Sequence, residues 1–238
     1  MRRFLRILGT LMIVGGVLTL GWAALVWQWQ DPFSALYTHL EQNRLASAYE
    51  ERAQAYAAHR FTGRDLAAVR HEIAVEAREY RRSLHTGDAV GRLKIGRIGV
   101  NMIVVQGTDH DTLKKGPGHY PTTGLPGERR LVYVAGHRTT YLAPFSHIDS
   151  IDPGDYVTFE LPYATFTYRV VRHYVVASSD TRVLVNRGVE ILRLQACHPR
   201  FFASHRYIVD AKLVAMEPRG GTRFTVPARL SAATAAGS

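Results

Sequence analysis

Between Ile7 and Gln30 the chain carries no charged side chain, and no other feature limits its architecture as strongly. About 20 consecutive apolar residues suffice for a helix to cross a bilayer, so a transmembrane helix is expected here. Arg2, Arg3 and Arg6 precede the stretch without one acidic residue, and Trp22, Trp27 and Trp29 crowd its far end. Basic flanks stay on the cytoplasmic side and indole rings favour the headgroup layer. The expectation is a single-pass protein of the cell membrane with a cytoplasmic N-terminus, everything after Gln30 being extracytoplasmic. A cleavable signal would have a shorter apolar core, about 7–15 residues, and a small-residue cleavage site, whereas this stretch ends in Trp-Gln-Trp-Gln. It is read as an uncleaved anchor.

The 238 residues, 46% of them hydrophobic, provide for one well-buried core and an appendage. Residues 1–30 are read as cytoplasmic tip and anchor, and residues 31–88 as a helical stalk or linker. Asp31-Pro32 has the N-cap and first-turn chemistry of a new helix, and a second helix is expected from about Arg64. The pair acts as a spacer or packs on the β-rich domain C-terminal to it, with His39, His59, His71 and His85 on solvated faces. From 89 to 218 the texture is β-rich, with short runs between Gly and Pro. Expected strands are Arg92–Ile98, Met102–Val105, Leu131–Ala135, Tyr156–Leu161, Thr165–Val176, Ile191–Ala196 and Tyr207–Met216, with an eighth near Arg182–Val185. Residues 219–238, rich in Gly, Ala, Ser and Arg, are expected to be a disordered basic tail.

The formal charge of +10 does not make a nucleic-acid-binding protein. Arg2, Arg3 and Arg6 precede the anchor, and Arg219, Arg223 and Arg229 lie in the tail. The remainder is mildly basic, which suits anionic wall polymers or lipid headgroups. No base-stacking module or recognition helix is visible. The one cysteine, Cys197, has no partner within the chain in a compartment where thiols ordinarily pair. It is either a small buried hydrophobe or a functional thiol. Strand alternation favours the second reading, because Leu192, Leu194 and Ala196 share one face and Arg193, Gln195 and Cys197 the other. In the last strand Tyr207, Val209, Ala211 and Leu213 face inward, and Arg206, Asp210 and Lys212 outward, so Arg206 shares a surface with Cys197. A thiol attacks as thiolate, with help from a base or cation, and acyl transfer needs a donor for the oxyanion. His198 falls in the wrong phase to serve Cys197, while His137 stands just beyond the apolar Leu131–Ala135 run.

Three segments in series carry a resemblance: Gly116-Pro-Gly-His-Tyr-Pro121, Ala135-Gly-His-Arg-Thr-Thr-Tyr141 with Ala143-Pro-Phe145, and Leu194-Gln-Ala-Cys-His-Pro199 followed by Arg206. Together, from about Gly91 to Met216, they resemble the sortases, and the class E branch most. The resemblance implies an all-β fold: a closed eight-stranded β-barrel with short helices, here preceded by the transmembrane helix and helical stalk. It implies a cysteine transpeptidase that cleaves an LPxTG- or LAxTG-like sorting signal after its threonine. Cys197 would be the nucleophile and thioester carrier, His137 the proton-transfer partner and Arg206 the oxyanion donor. Ala196, Thr139 and Tyr141 would contact substrate. The implied partners are sorting-signal-bearing surface proteins, the lipid-linked peptidoglycan precursor that supplies an amine, and the membrane, with no cofactor. The family pattern Thr-Leu-x-Thr-Cys reads Arg193-Leu194-Gln195-Ala196-Cys197 here, so both threonines are replaced. Pilus polymerisation, or a silent scaffold that keeps the fold, are the alternatives to wall anchoring. Asp31-Pro32-Phe33 looks like the lid tripeptide of pilus-building sortases but serves as a helix start. Cys197, His198 and His205 lack the spacing and the further ligand of a zinc site, and Asn101 or Asp149 are candidates to orient His137.

Overall fold

The structure, a computed structural model, describes residues 2–28, 32–56 and 61–227. Trp29, Asp31, His59, Arg229 and the tail beyond Pro227 lie outside these residues. Helix α1 spans Arg2–Gln28, and within it Arg2–Ala23 is long and apolar enough to cross a membrane, with none of its residues buried.

Helices α2 (Pro32–Ala55) and α3 (Leu66–Ser83) come next. The second begins where the aspartate next to Arg64 caps it: the Asp65 carboxylate accepts from the Ala68 N–H at 2.8 Å, satisfying one of the amides that a helix start leaves open. Both helices lie on the barrel. On α3 the buried stripe Val69, Ile73, Ala77 and Tyr80 joins the main core, and the Tyr80 hydroxyl lies 3.1 Å from Ala89 O and 2.9 Å from Val90 O. On α2 Gln42 acts as an extra strand partner. Its amide donates to Ile103 O at 3.0 Å and Lys115 O at 2.7 Å, and accepts from Ile103 N–H at 2.7 Å.

The barrel strands are β1 (Ala89–Ile95), β2 (Val100–Gln106), β3 (Gly118–His119), β4 (Leu131–Ala135), β5 (Tyr156–Glu160), β6 (Ala164–Ala177), β7 (Ile191–His198) and β8 (His205–Pro218). They are hydrogen-bonded in the order β6-β5-β1-β2-β3-β4-β7-β8, and β8 pairs with β6 to close the eight-stranded barrel. Closure leaves no free edge among them. The pairs β2–β3 and β4–β7 are parallel. Alternation sets the lining: Phe166, Tyr168 and Val170 of β6, Leu192 and Leu194 of β7, and Val209, Ala211 and Leu213 of β8 fill the interior. Buried Glu190 is held at the barrel wall by the Gly127 and Arg129 N–H groups and the Tyr168 hydroxyl.

Two expectations need correction. Arg182–Val185 is not the eighth strand, since Thr181–Leu184 forms a 3-10 turn; the missing strand is β3, two residues long. The segment after Pro218 is ordered through Pro227. Strand β9 (Phe224–Thr225) pairs with Ala215 and Met216 of β8, and Val226 is buried in the core.

Candidate active site

Strands β7 and β8 are antiparallel, and their register sets Cys197 directly opposite Arg206. The inner face of β7 is taken by Leu192, Leu194 and Ala196, all fully buried, so Cys197 faces outward and is half-buried. Arg206 Nη1 donates to Ala203 O at 2.7 Å and His205 O at 3.0 Å. The backbone of the β7–β8 connection thereby restrains the guanidinium, and Arg206 lines the same groove as Cys197.

His137 arrives from the other side. Ala135 of β4 pairs with Gln195 in parallel register, and the ladder continues with Gly136 N–H donating to Gln195 O at 3.0 Å. Two residues beyond each partner stand His137 and Cys197, which the shared pleat puts at one level on one face. The histidine is set by its neighbours: Phe145 N–H donates to His137 O at 3.1 Å, and the Tyr141 ring lies 5.3 Å from the imidazole, centroid to centroid. Tyr141, Leu142 and Ala143 all have left-handed φ, at 53°, 59° and 37°. Three consecutive non-glycine residues in that region are uncommon and cluster at functional sites. Burial, and secondarily the nearby His110, hold the His137 pKa below its ordinary value, which favours the neutral ring. Its Nε2 is buried with no hydrogen-bond partner among the described residues.

Cys197, His137 and Arg206 line one groove of about 310 Å³. Its floor includes Tyr133, whose hydroxyl donates to the Gln195 side chain. Val183 and Leu184 of the 3-10 turn form one wall. A larger cavity, about 600 Å³, lies behind that wall and contains none of the three. The convergence of a thiol, an imidazole and a guanidinium makes the smaller groove the candidate site, whatever its size.

The remaining predicted residues are distributed differently. Ala196 is a correction: its side chain is sealed in the barrel interior, so it does not face the groove, as the alternation of β7 requires. Tyr141 adjoins His137 and Thr139 is half-exposed, and neither is among the groove's lining residues. Asn101 is exposed on β2 opposite Lys94. Asp149 pairs with Arg138, not with His137. His198 accepts from Arg138 Nη1 at its Nδ1, 3.0 Å away, and His205 contacts Ser204. Among the described residues no group of three or more His, Cys, Asp or Glu is placed to hold a metal.

Sequence reasoning missed Arg138. It is 4% exposed, and besides Asp149 and His198 it reaches Cys197 O at 3.4 Å. It therefore ties the segment after His137 to the strand that carries the thiol. Its position next to His137 in the Gly-His-Arg-Thr-Thr segment was the available signal.

A family model described as the sortase domain matches residues 93–214. Sortase D of Bacillus subtilis is 35% identical over 133 residues, which are 54% of this chain and 66% of that protein. Sortase SrtE1 of Streptomyces coelicolor is 29% identical over 153 residues, 58% of this chain and 44% of that one. The chain thus spans less than two thirds of the length of these curated relatives. Among solved structures, a Clostridium perfringens sortase D5 transpeptidase superposes with a TM-score of 0.58 at 25% identity, covering 73% of this chain and 98% of that one. Sortase E of Streptomyces avermitilis gives 0.51 at 32%, covering 56% and 93%.

Proposed function

Because the chain belongs to the sortase family, whose members are cysteine transpeptidases, we propose that it cleaves an LPxTG- or LAxTG-like sorting signal after the threonine and transfers the acyl group to a cell-wall amine. The observation that carries this reading is the direct cross-strand pairing of Cys197 with Arg206 in a groove that His137 also lines.

In the proposed reaction the neutral His137 ring accepts the thiol proton as Cys197 Sγ attacks the threonine carbonyl. Arg206 donates to the oxygen as it gains charge, a contact formed only in the transition state and therefore productive for rate. The C–N bond breaks, and His137 returns the proton to the leaving amine. The thioester then takes up an incoming amine, which loses its proton to His137, and Sγ departs and is reprotonated. Helix α1 acts as an uncleaved anchor with its basic end in the cytoplasm, which places the groove outside the cell. There it meets surface proteins that bear sorting signals and lipid-linked wall precursor.

The test uses the chain from Asp31 onward with LPxTG and LAxTG peptides and an amine acceptor, following cleavage and enzyme mass. The expected result is an acyl adduct and amine transfer by wild type, and neither by Cys197→Ala. Arg206→Ala should lower kcat by about 10²–10³-fold, the usual cost of an oxyanion donor. A folded protein that forms no adduct with either peptide would overturn the proposal in favour of a silent scaffold.

A further inference from the structure

One wall of the groove is a short turn, held to the barrel by the packing of Val183 on Leu131, Tyr133, Ala135 and Ile208 and by a hydrogen bond from one side chain. Val183 lines both the 310 Å³ groove and the 600 Å³ cavity beside it, so the turn Thr181–Leu184 separates the two where it packs on the barrel. Its own hydrogen bonds are local. Arg182 forks onto Asp180, and Val185 N–H donates to Arg182 O at 3.2 Å. Among the described residues, the hydrogen bond that ties residues 181–185 to a strand comes from Arg193 Nη1, which donates to Val183 O.

Arg193 lies four residues before Cys197 on the same outward phase of β7 and is 7% exposed. Its remaining nitrogens are committed: Nε and Nη2 fork onto the two oxygens of Asp210 at 2.5 and 2.8 Å. Asp210 is fully buried on β8, directly opposite in register. A planar guanidinium fixed by such a fork has little rotational freedom, so its third nitrogen presents a donor at a set place.

We propose that Arg193 is a positioning residue: held by Asp210, it fixes the Val183 wall of the Cys197 groove and so sets the affinity for the peptide that lies against it. The peptide half of this statement rests on the transpeptidase reading above; the wall half does not.

A single substitution at Arg193 would leave buried Asp210 with only Arg172 and the Tyr174 hydroxyl beside it and confuse the wall with the fold, because breaking one half of a buried pair is costly while replacing both halves by apolar residues is often neutral. The experiment therefore compares wild type with Arg193→Met/Asp210→Leu. Amide exchange at residues 181–185 is measured without peptide, and KM and kcat with it. The expected result is a melting temperature near wild type, exchange at Val185 faster by about tenfold or more, and a KM raised about three- to tenfold with kcat within about twofold. Wild-type exchange and wild-type KM in the double variant would overturn the proposal and reduce the pair to a structural one. If that variant does not fold, Arg193→Gln/Asp210→Asn is judged by the same outcomes, since its amides satisfy each other and glutamine falls short of Val183 O. A wild type that turns over neither peptide would sink the transpeptidase reading and leave the wall to be decided by exchange.

Discussion

His119 is fully enclosed, with Nδ1 2.8 Å from the Gln106 side-chain amide and Nε2 2.9 Å from Gly124 O. Burial pushes its pKa from 6.5 down to about 4. Between those values the unfolded chain binds a proton that the native chain refuses, so stability falls as the pH drops through this window. The loss is at most about 3 kcal/mol, at roughly 1.4 kcal/mol per unit. Buried Glu190, whose pKa burial raises, works in the opposite sense, so the His119 share is isolated by comparison with His119→Gln. Urea unfolding from pH 7 to 4.5 should show wild type losing more stability than the variant; parallel profiles would refute the assignment. At this scale the sequence was informative where the facing of a side chain follows from strand phase. Cys197, Arg206 and the inward Leu192 and Leu194 needed only alternation, and the same rule, applied to Ala196, excludes it from the groove. The contacts of Arg138 and Arg193 were not legible, although Arg138 stands next to His137 in the motif. Both are buried arginines whose meaning lies in partners, Asp149 and Asp210, that only the folded sheet brings near.

The elements carry the site by continuing their ladders beyond the last residue counted as strand. Gly136 is the hinge between β4 and His137, and an added Cβ there would stand 2.6 Å from the Phe145 ring. Phe145 in turn holds the His137 carbonyl. Gly136→Ala is therefore expected to cost about 1–3 kcal/mol by overpacking and to displace His137, lowering kcat more than thermal stability alone explains. Kinetics at a temperature where the variant is fully folded, by circular dichroism, separates the two effects, and a wild-type kcat there would rule out the hinge role. Long strands with clean alternation, such as β6 and β8, could be read to within a residue or two of their ends. Strand β3 could not, since two residues carry no periodicity and are recruited by β2 and β4 on either side. Thr181–Leu184 misled because its β-branched composition fits a strand, whereas Asp180 caps it as a turn by accepting from Arg182 N–H at 3.0 Å.

Across the whole molecule, α2 and α3 belong to the barrel and are more than a tether. Four peptide steps separate Gln28 of α1 from Pro32 of α2, a span of at most about 14 Å. Thr38, less than two turns further on, donates to Lys114 O at 2.7 Å. A barrel attached so near the end of α1 is kept close to the lipid surface when α1 spans it. The β-rich texture starts at about Gly91, yet the core starts earlier, because Val69, Ile73, Ala77 and Tyr80 of α3 are inside it. Burying a large apolar side chain contributes about 1.5–3 kcal/mol, so this stripe is worth a large part of the roughly 5–15 kcal/mol that holds a domain together. A chain that begins at Asp31 should unfold cooperatively as a monomer, and one that begins at His85 should not, since it exposes the barrel face that α3 covers. Thermal unfolding with gel filtration of the two truncated chains decides the matter. A monomeric, cooperatively melting chain from His85 would mean that the helices are spacers and that the strands alone specify the fold.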